Sequence, residues 1–267
     1  MPARIPLLLV SLCLAAPAPA QDAPRVAGRI ELAEGIARIE AKGKPARRPA
    51  AGQSVHEGET VVTSGQSELH LNMADGASLI VRENTRITIA EYVADGGAGD
   101  RSLIELTRGA LRSITGWIGQ YNRNSYRVRT PLVTIGVRGT DHEPTHLEAG
   151  DPRGAPGSYD KVNEGAAFMQ TPQGTVDVPA NKAVFQALSA AGLPQLLGDI
   201  PAFFQPGRFE QEFQRRAQAL KNAIPQRRLE RIDFLKKQGL VPQEAQKALD
   251  QVKPLEQKGR ELLRWLR

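Results

Sequence analysis

This sequence of 267 residues has little cysteine, few aromatic side chains and no apolar run of membrane-spanning length. Its only cysteine, Cys13, lies near the N-terminus. A disulfide framework, a cysteine-ligated zinc site and a thiol nucleophile are therefore excluded for everything after it. Aromatic residues make up only 5% of the chain, which argues against nucleic-acid recognition by base stacking over a wide surface.

The first 20 residues have the organisation of a secretory signal peptide. Arg4 precedes a mostly apolar stretch at 5–16, and Ala18-Pro19-Ala20 offers small residues at both positions that a signal peptidase reads. The apolar stretch is shorter than the ~20 residues that a helix needs to cross a bilayer. We therefore expect cleavage after Ala20 and a periplasmic or secreted protein with no transmembrane span.

The net charge of +6 is concentrated in the last part of the chain. Residues 207–267 carry 15 Lys and Arg against eight Asp and Glu, whereas residues 21–206 carry 19 against 21. A basic segment of this kind can bind an acidic partner, an anionic lipid or nucleic acid, although secretion argues against nucleic acid. The alternative is that the charges form the solvated face of a helical region.

Residues 21–190 predict a β domain. Leu69 and Leu71 alternate with polar residues, the pair Asp75-Gly76 follows, and the alternation resumes at Leu79. Alternation on both sides of Asp-Gly indicates a hairpin. Similar short pieces recur along the region with turn residues between them, as in a mainly β fold.

The end of the chain has a different pattern. Residues 191–206 contain several prolines and glycines and are interpreted as a connector. The segment 207–267 then carries three short apolar stripes with helical spacing, where Pro225 is expected to break the first helix and Gly239 to cap the second. We expect the stripes to pack on one another or on the β domain, and a partner-binding groove is the alternative.

Short motifs fall into two groups between residues 26 and 187. The first group is Gly52-Gln53-Ser54-Val55, the run 57–65 and Asp75-Gly76-Ala77-Ser78-Leu79, and the second is Arg129-Thr130-Pro131, Val137-Arg138-Gly139-Thr140 and Glu164-Gly165. Pro131 restricts the residue before it to an extended conformation, and glycine at a strand end permits a bend, so we expect the second group to be mainly structural. In their order and spacing, the two groups resemble the FecR family.

The resemblance implies an extracytoplasmic β-structure, a short twisted β-solenoid, which here would be followed by the basic helical region. Family members that regulate transport sense an occupied outer-membrane transporter and signal to a sigma factor. This sequence shows neither a cytoplasmic segment before its leader nor a membrane span, so the resemblance implies a non-enzymatic binding module here and not direct control of a sigma factor.

One group of aromatic and basic residues is a candidate binding surface. Its members could bind a sugar or an acidic peptide. The alternative is that Trp117 covers the end of the β core while the arginines are solvated. The group consists of Trp117, Tyr121, Arg123, Tyr126 and Arg127.

The run His142-Glu143-Pro144-Thr145-His146 matches the H-E-x-x-H pattern of zinc hydrolases. That pattern requires a helix, and Pro144 is unfavourable inside one. In an extended strand the two histidines would be ~13 Å apart at ~3.3 Å per residue, too far to share a zinc ion with ~2.0–2.1 Å bonds. Zinc hydrolysis is therefore the weakest of our alternatives, and we predict neither a metal nor a cofactor.

The sequence thus predicts a binding or scaffold module of the cell envelope that has no catalytic residues. We expect its partner to be an envelope protein or a cell-wall polymer. The alternative within the same class is an accessory sensor that docks on a membrane-bound regulator or transporter.

Overall fold

The structure is a computed structural model that describes residues 24–121 and 124–239. The predicted signal peptide, Arg123 and the third apolar stripe lie outside these residues. The strands are β1 (Val26–Glu34), β2 (Ala37–Ala41), β3 (Lys44–Arg47), β4 (Ser54–His56), β5 (Thr60–Thr63), β6 (Glu68–Met73), β7 (Ser78–Val81), β8 (Arg86–Val93), β9 (Arg101–Ile114), β10 (Tyr126–Arg129), β11 (Thr134–Val137), β12 (Asp141–Leu147), β13 (Gly157–Glu164), β14 (Ala166–Thr171), β15 (Gly174–Pro179), β16 (Lys182–Ala187) and β17 (Gln195–Leu196). The helices are α1 (Trp117–Tyr121) and α2 (Glu210–Lys237).

The strands form two sheets that share the long strand β9. Sheet 1 has the order β4-β1-β6-β7-β9-β12-β13-β16-β17, and sheet 2 has the order β3-β2-β5-β8-β9-β10-β11-β14-β15. Neighbouring strands are antiparallel except β9 and β10. Neither sheet closes on itself within the described residues. A mainly β chain with a C-terminal helix is confirmed, whereas the solenoid form stays a prediction.

The main hydrophobic core lies between the two sheets. Leu69 and Leu71 of β6 are buried in it together with Ile87 and Ile104 of sheet 2. Successive side chains of a strand point to opposite faces, so His70 lies on the outer face of sheet 1, where its ring contacts α2. This two-residue period is the one that the alternation in the sequence predicted.

The hairpin predicted around Asp75-Gly76 is present. Leu71 pairs with Leu79 across β6 and β7, and Gly76 has a φ of +78° in the turn between them. That left-handed conformation is accessible to glycine at no steric cost. The Asp75 carboxylate accepts the N–H of Ala77 at 3.1 Å and so closes the turn.

Helix α2 lies on the outer face of sheet 1. Phe213 and Ala217 pack there against Ile80, and the helix continues without interruption through Pro225. The predicted break at Pro225 is therefore wrong. Proline removes one helical hydrogen bond, but side chains on both sides of it are buried against the domain, and this packing keeps the helix continuous.

The end of α2 agrees with the predicted cap. The helix ends at Lys237 and Gly239 follows with a φ of +68°, the left-handed conformation that often terminates a helix. Across residues 24–121 and 124–239, no helix is long and apolar enough to cross a membrane.

Candidate functional site

Two of the FecR-like motif glycines form turns that touch each other. Gly139 and Gly165 have φ values of +67° and +83°, and a Cβ on Gly165 would lie 2.2 Å from the carbonyl oxygen of Gly139. The Thr140 hydroxyl donates a hydrogen bond of 2.7 Å to the carbonyl of Ala166 and links the same two turns. Only glycine permits this close backbone approach.

The other motif residues divide between the core and the surface. Val137 is fully buried, and the buried hydroxyl of Thr130 accepts two backbone N–H groups of the turn that follows it. Glu164 is exposed and accepts a hydrogen bond of 2.6 Å from Lys221, which ties this part of the motif to α2. The further exposed members are Arg129, Pro131 and Arg138.

The aromatic and basic residues grouped by the sequence do not share one exposed surface. Trp117 and Tyr126 are only 2% and 1% exposed. Tyr121 is 51% exposed, and the guanidinium carbon of Arg228 in α2 lies 4.5 Å from its ring centroid. Arg127 lies over an aromatic ring of sheet 2. The described members are therefore divided among the core, the α2 interface and the far sheet.

The H-E-x-x-H run lies in strand β12 and not on a helix, as Pro144 indicated. His142 points between the sheets, where its Nδ1 is 3.0 Å from Asp160. Glu143 lies on the opposite face of the strand, beside basic side chains. The side chains of this motif do not converge on one point, and no three His, Asp or Glu residues in the described part of the chain are grouped to hold a metal ion.

The polar cluster around His142 is enclosed in the interior. Burial raises the pKa of the Asp160 carboxyl, and the adjacent His142 opposes that change. Burial likewise raises the pKa of Tyr126, whose hydroxyl donates a hydrogen bond of 2.7 Å to Ser113. Because His142 and Asp160 are completely buried, these groups stabilise the space between the sheets and offer no open reaction site.

A charged cluster on the outer face of sheet 1 fixes the beginning of α2. Glu210, the first residue of the helix, forms ion pairs with Arg82 and Arg112. Arg112 also donates a hydrogen bond of 2.9 Å to Asp141. These groups are largely buried, so removing one partner would leave another charge uncompensated.

Glu143 belongs to the same cluster. Burial alone would raise the pKa of its carboxyl, but a hydrogen bond from Asn163 and the charges of Arg82 and Lys161 outweigh that effect and lower the pKa. The carboxylate is therefore the form that the folded cluster stabilises.

The second half of α2 packs against two glycines of the β domain. A Cβ on Gly76 would lie 3.1 Å from Cγ1 of Ile224, and one on Gly96 would lie 2.4 Å from Cγ1 of Ile232. The Arg228 side chain donates a hydrogen bond of 3.0 Å to the carbonyl of Gly96. The absent side chains of these two glycines thus create the space that receives the two isoleucines.

A pocket of about 850 Å³ opens beside this contact, between α2 and the end of the β domain. Trp117 and Tyr92 line it from the domain, and Arg227 and Arg231 line it from the helix. Arg25 lies at the same opening. The structure therefore combines Trp117 with basic residues, as the sequence suggested, but with different ones.

The loop at this pocket is held in place by Asp100. Its carboxylate accepts hydrogen bonds from the Trp117 indole at 2.7 Å and from the backbone N–H groups of Asp95 and Gly96 at 2.8 Å each. Burial raises the pKa of the Asp100 carboxyl, although these donors act in the opposite direction. Asp100 thus positions both the indole ring and the glycine that receives α2.

Comparison with known protein families finds a match to part of this chain, with the family described as FecR protein. Residues 59–153 match the FecR family. The match covers about a third of the chain, from just before β5 to just after β12, and it confirms the resemblance predicted from the motifs. No curated protein matches the chain.

Two solved structures of a candidate anti-sigma factor from Parabacteroides distasonis, at 1.65 and 2.50 Å resolution, are similar to this chain. Each has 12% sequence identity and a TM-score of 0.42. The similarity covers 53% of this chain, which spans 60% of the length of that protein.

The pocket is lined both by residues inside the region that matches the FecR family and by residues outside that region. Trp117 and Tyr92 lie inside the matched region, whereas Arg227 and Arg231 come from α2 and Arg25 precedes β1. The sequence pattern did not indicate these three arginines. The spacing of Arg227 and Arg231 places both on one helical face, but nothing in the sequence pattern indicates that this face meets Trp117.

Proposed function

We propose that this chain is a non-enzymatic regulatory module of the cell envelope that binds a partner through the helix docked on its FecR-like domain. The observation that carries the proposal is α2 itself. One face of the helix is buried on sheet 1, and Gln214, Arg215 and Gln218 on the opposite face are exposed. A helix with one free polar face, fixed to a rigid β domain, is suited to a partner interface.

The charge of the helix supports an acidic partner. Between residues 208 and 237 the chain has nine Lys and Arg against four Asp and Glu. Opposite charges across an interface increase the association rate and the specificity more than the affinity. The partner that we favour is an envelope protein with an acidic surface, such as a membrane-bound regulator or transporter, and a cell-wall polymer is the alternative.

A non-catalytic role is consistent with the placement of the reactive groups. The buried His142 is paired inside the domain, and the buried cluster around Glu210 consists of ion pairs that hold a helix. In both cases the polar side chains are paired with one another and hold parts of the fold together.

Site-specific photo-crosslinking in the native envelope tests the proposal. A crosslinking residue at Gln218 on α2 is compared with one at Thr175, an exposed position on strand β15 of sheet 2. We expect one protein to be captured repeatedly at Gln218 and not at Thr175, with a yield that falls as salt is raised.

Three results would reject the protein-partner proposal. They are equal capture at both positions, capture of cell-wall fragments alone, and no crosslinked product. Recovery of wall fragments at Gln218 would instead favour the polymer alternative.

A further inference from the structure

We infer that the pocket between α2 and the Trp117 end of the β domain binds a ligand with one carboxylate and an apolar or aromatic body. The inference builds on the proposed function by naming a ligand class for this binding module. It rests on three features of the pocket: its charge, an unused hydrogen-bond donor and its aromatic lining.

The unused donor belongs to Arg227. Its Nη1 is buried and has no hydrogen-bond partner among residues 24–121 and 124–239. Buried polar groups are normally paired, and an unpaired one is costly. Arg231, by contrast, donates to Asp95 at 2.9 Å and to the carbonyl of Ala94 at 3.2 Å. Among the three lining arginines, Arg227 is therefore the one whose buried donor lacks a partner within the described residues.

The charges around the pocket favour an anion of low charge. Arg25, Arg227 and Arg231 face Asp95 and Glu230, which leaves an excess of one positive charge. A guanidinium matches the planar geometry of a carboxylate. A polyanion would bring further negative charge towards Asp95 and Glu230, so a monocarboxylate fits this arrangement better.

The rest of the pocket lining favours a ligand whose body is apolar. Val26 is 50% exposed and supplies most of the accessible apolar surface, while Trp117 and Tyr92 line the domain side with only 2% of each exposed. The volume of about 850 Å³ lies within the ~300–1,000 Å³ range of small-molecule sites. Asp100 fixes the indole of Trp117 at 2.7 Å, so this part of the wall is formed before a ligand enters.

Such a carboxylate could belong to a free small acid or to the C-terminus of a peptide, and both sources can be tested. The full chain carrying Trp265→Phe keeps Trp117 as its only tryptophan, so indole fluorescence reports on the pocket. The probes are N-acetyl-phenylalanine, its uncharged amide, and a hexapeptide ending in phenylalanine with either a free or an amidated C-terminus.

We expect the free acids to bind at least tenfold more tightly than the matching amides, because a charge-assisted hydrogen bond is lost on amidation. Tighter binding of the hexapeptide acid than of the capped amino acid indicates a peptide C-terminus, and equal binding indicates a small acid. Arg227→Gln should lower the affinity for the acids at least tenfold. Arg48→Gln, at an exposed position just after β3 and outside the pocket lining, should leave the affinity for the acids unchanged.

Equal affinity for acid and amide would overturn the inference. Unchanged binding by a folded Arg227→Gln protein would also overturn it, as would the absence of any titratable change with every probe. These failures are distinguishable from failure of the proposed function. Partner capture at Gln218 would persist if only the pocket inference were wrong, and the carboxylate titration would persist if only the partner were absent.

Discussion

The contact between Gly96 and Ile232 makes the docking of α2 testable by one added methyl group. In Gly96→Ala the new Cβ would lie 2.4 Å from Cγ1 of Ile232, far inside the ~3.5–4.0 Å of a favourable carbon contact. The residue also has a φ of +86°, which costs about 1–2 kcal/mol for a side chain other than glycine. Overpacking adds about 1–3 kcal/mol, so we expect a total loss of about 2–5 kcal/mol.

A control variant separates the two contributions. Gly58 has a φ of +82°, and an added Cβ there meets nothing within 4 Å. Gly58→Ala should therefore lose only the backbone part, about 1–2 kcal/mol. The double variant Gly96→Ala/Ile232→Ala removes the clash, so its loss should be smaller than the sum of the two single losses.

Urea unfolding measures the total effect, and hydrogen exchange locates it. Because the contact involves the second half of α2, amides at 224–237 should lose protection in Gly96→Ala, while the strands of sheet 2 should keep theirs. Two results would refute the reasoning: equal losses in Gly96→Ala and Gly58→Ala, or additive losses in the double variant. Either would mean that Ile232 does not rest on Gly96 in solution.

Two further predictions concern the charged cluster and the motif turns. Since the carboxyl pKa of Glu143 lies below its ordinary value of 4.5 in the folded protein, its contribution to stability is fully present above pH 4.5 and disappears as the pH falls through the folded-state pKa. Glu143→Gln should cost about 1–3 kcal/mol at pH 7, and urea titrations should show that difference shrinking in acid; a constant difference would contradict the assignment. Gly165→Ala, whose Cβ would lie 2.2 Å from the Gly139 carbonyl oxygen, should cost about 2–5 kcal/mol by thermal or urea unfolding. Gly43→Ala, with a φ of +72° and no neighbour within 4 Å, should cost only the backbone part, and equal losses would refute the contact.

The β domain was predictable because its signals are local. Alternation at Leu69 and Leu71, followed by Asp75-Gly76, is enough to indicate a hairpin, since the side-chain period and the turn conformation both depend on neighbouring residues. Pro144 likewise sufficed to indicate that the H-E-x-x-H run is not on a helix. The FecR motifs were detectable for a related reason, because Gly139 and Gly165 meet conformational requirements that few other residues satisfy.

The candidate site was predictable only in part. The sequence indicated an aromatic and basic group around Trp117. The arginines of that group, Arg123 and Arg127, are close to Trp117 in the chain. The structure instead places Trp117 beside Arg227, 110 positions later. Local spacing contains no information about which distant helix will cover a sheet, so this pairing could not be derived from the sequence pattern.

Strands, turns and the amphipathic character of the final helix could be predicted from the residues alone, because these features follow from side-chain period and backbone conformation. Tertiary packing carries α2 through Pro225, places Ile224 and Ile232 against glycines, and leaves Nη1 of Arg227 without a hydrogen-bond partner among the described residues. Those outcomes depend on burial between distant segments. The free energy of packing α2 against the β domain compensates for the hydrogen bond that proline removes.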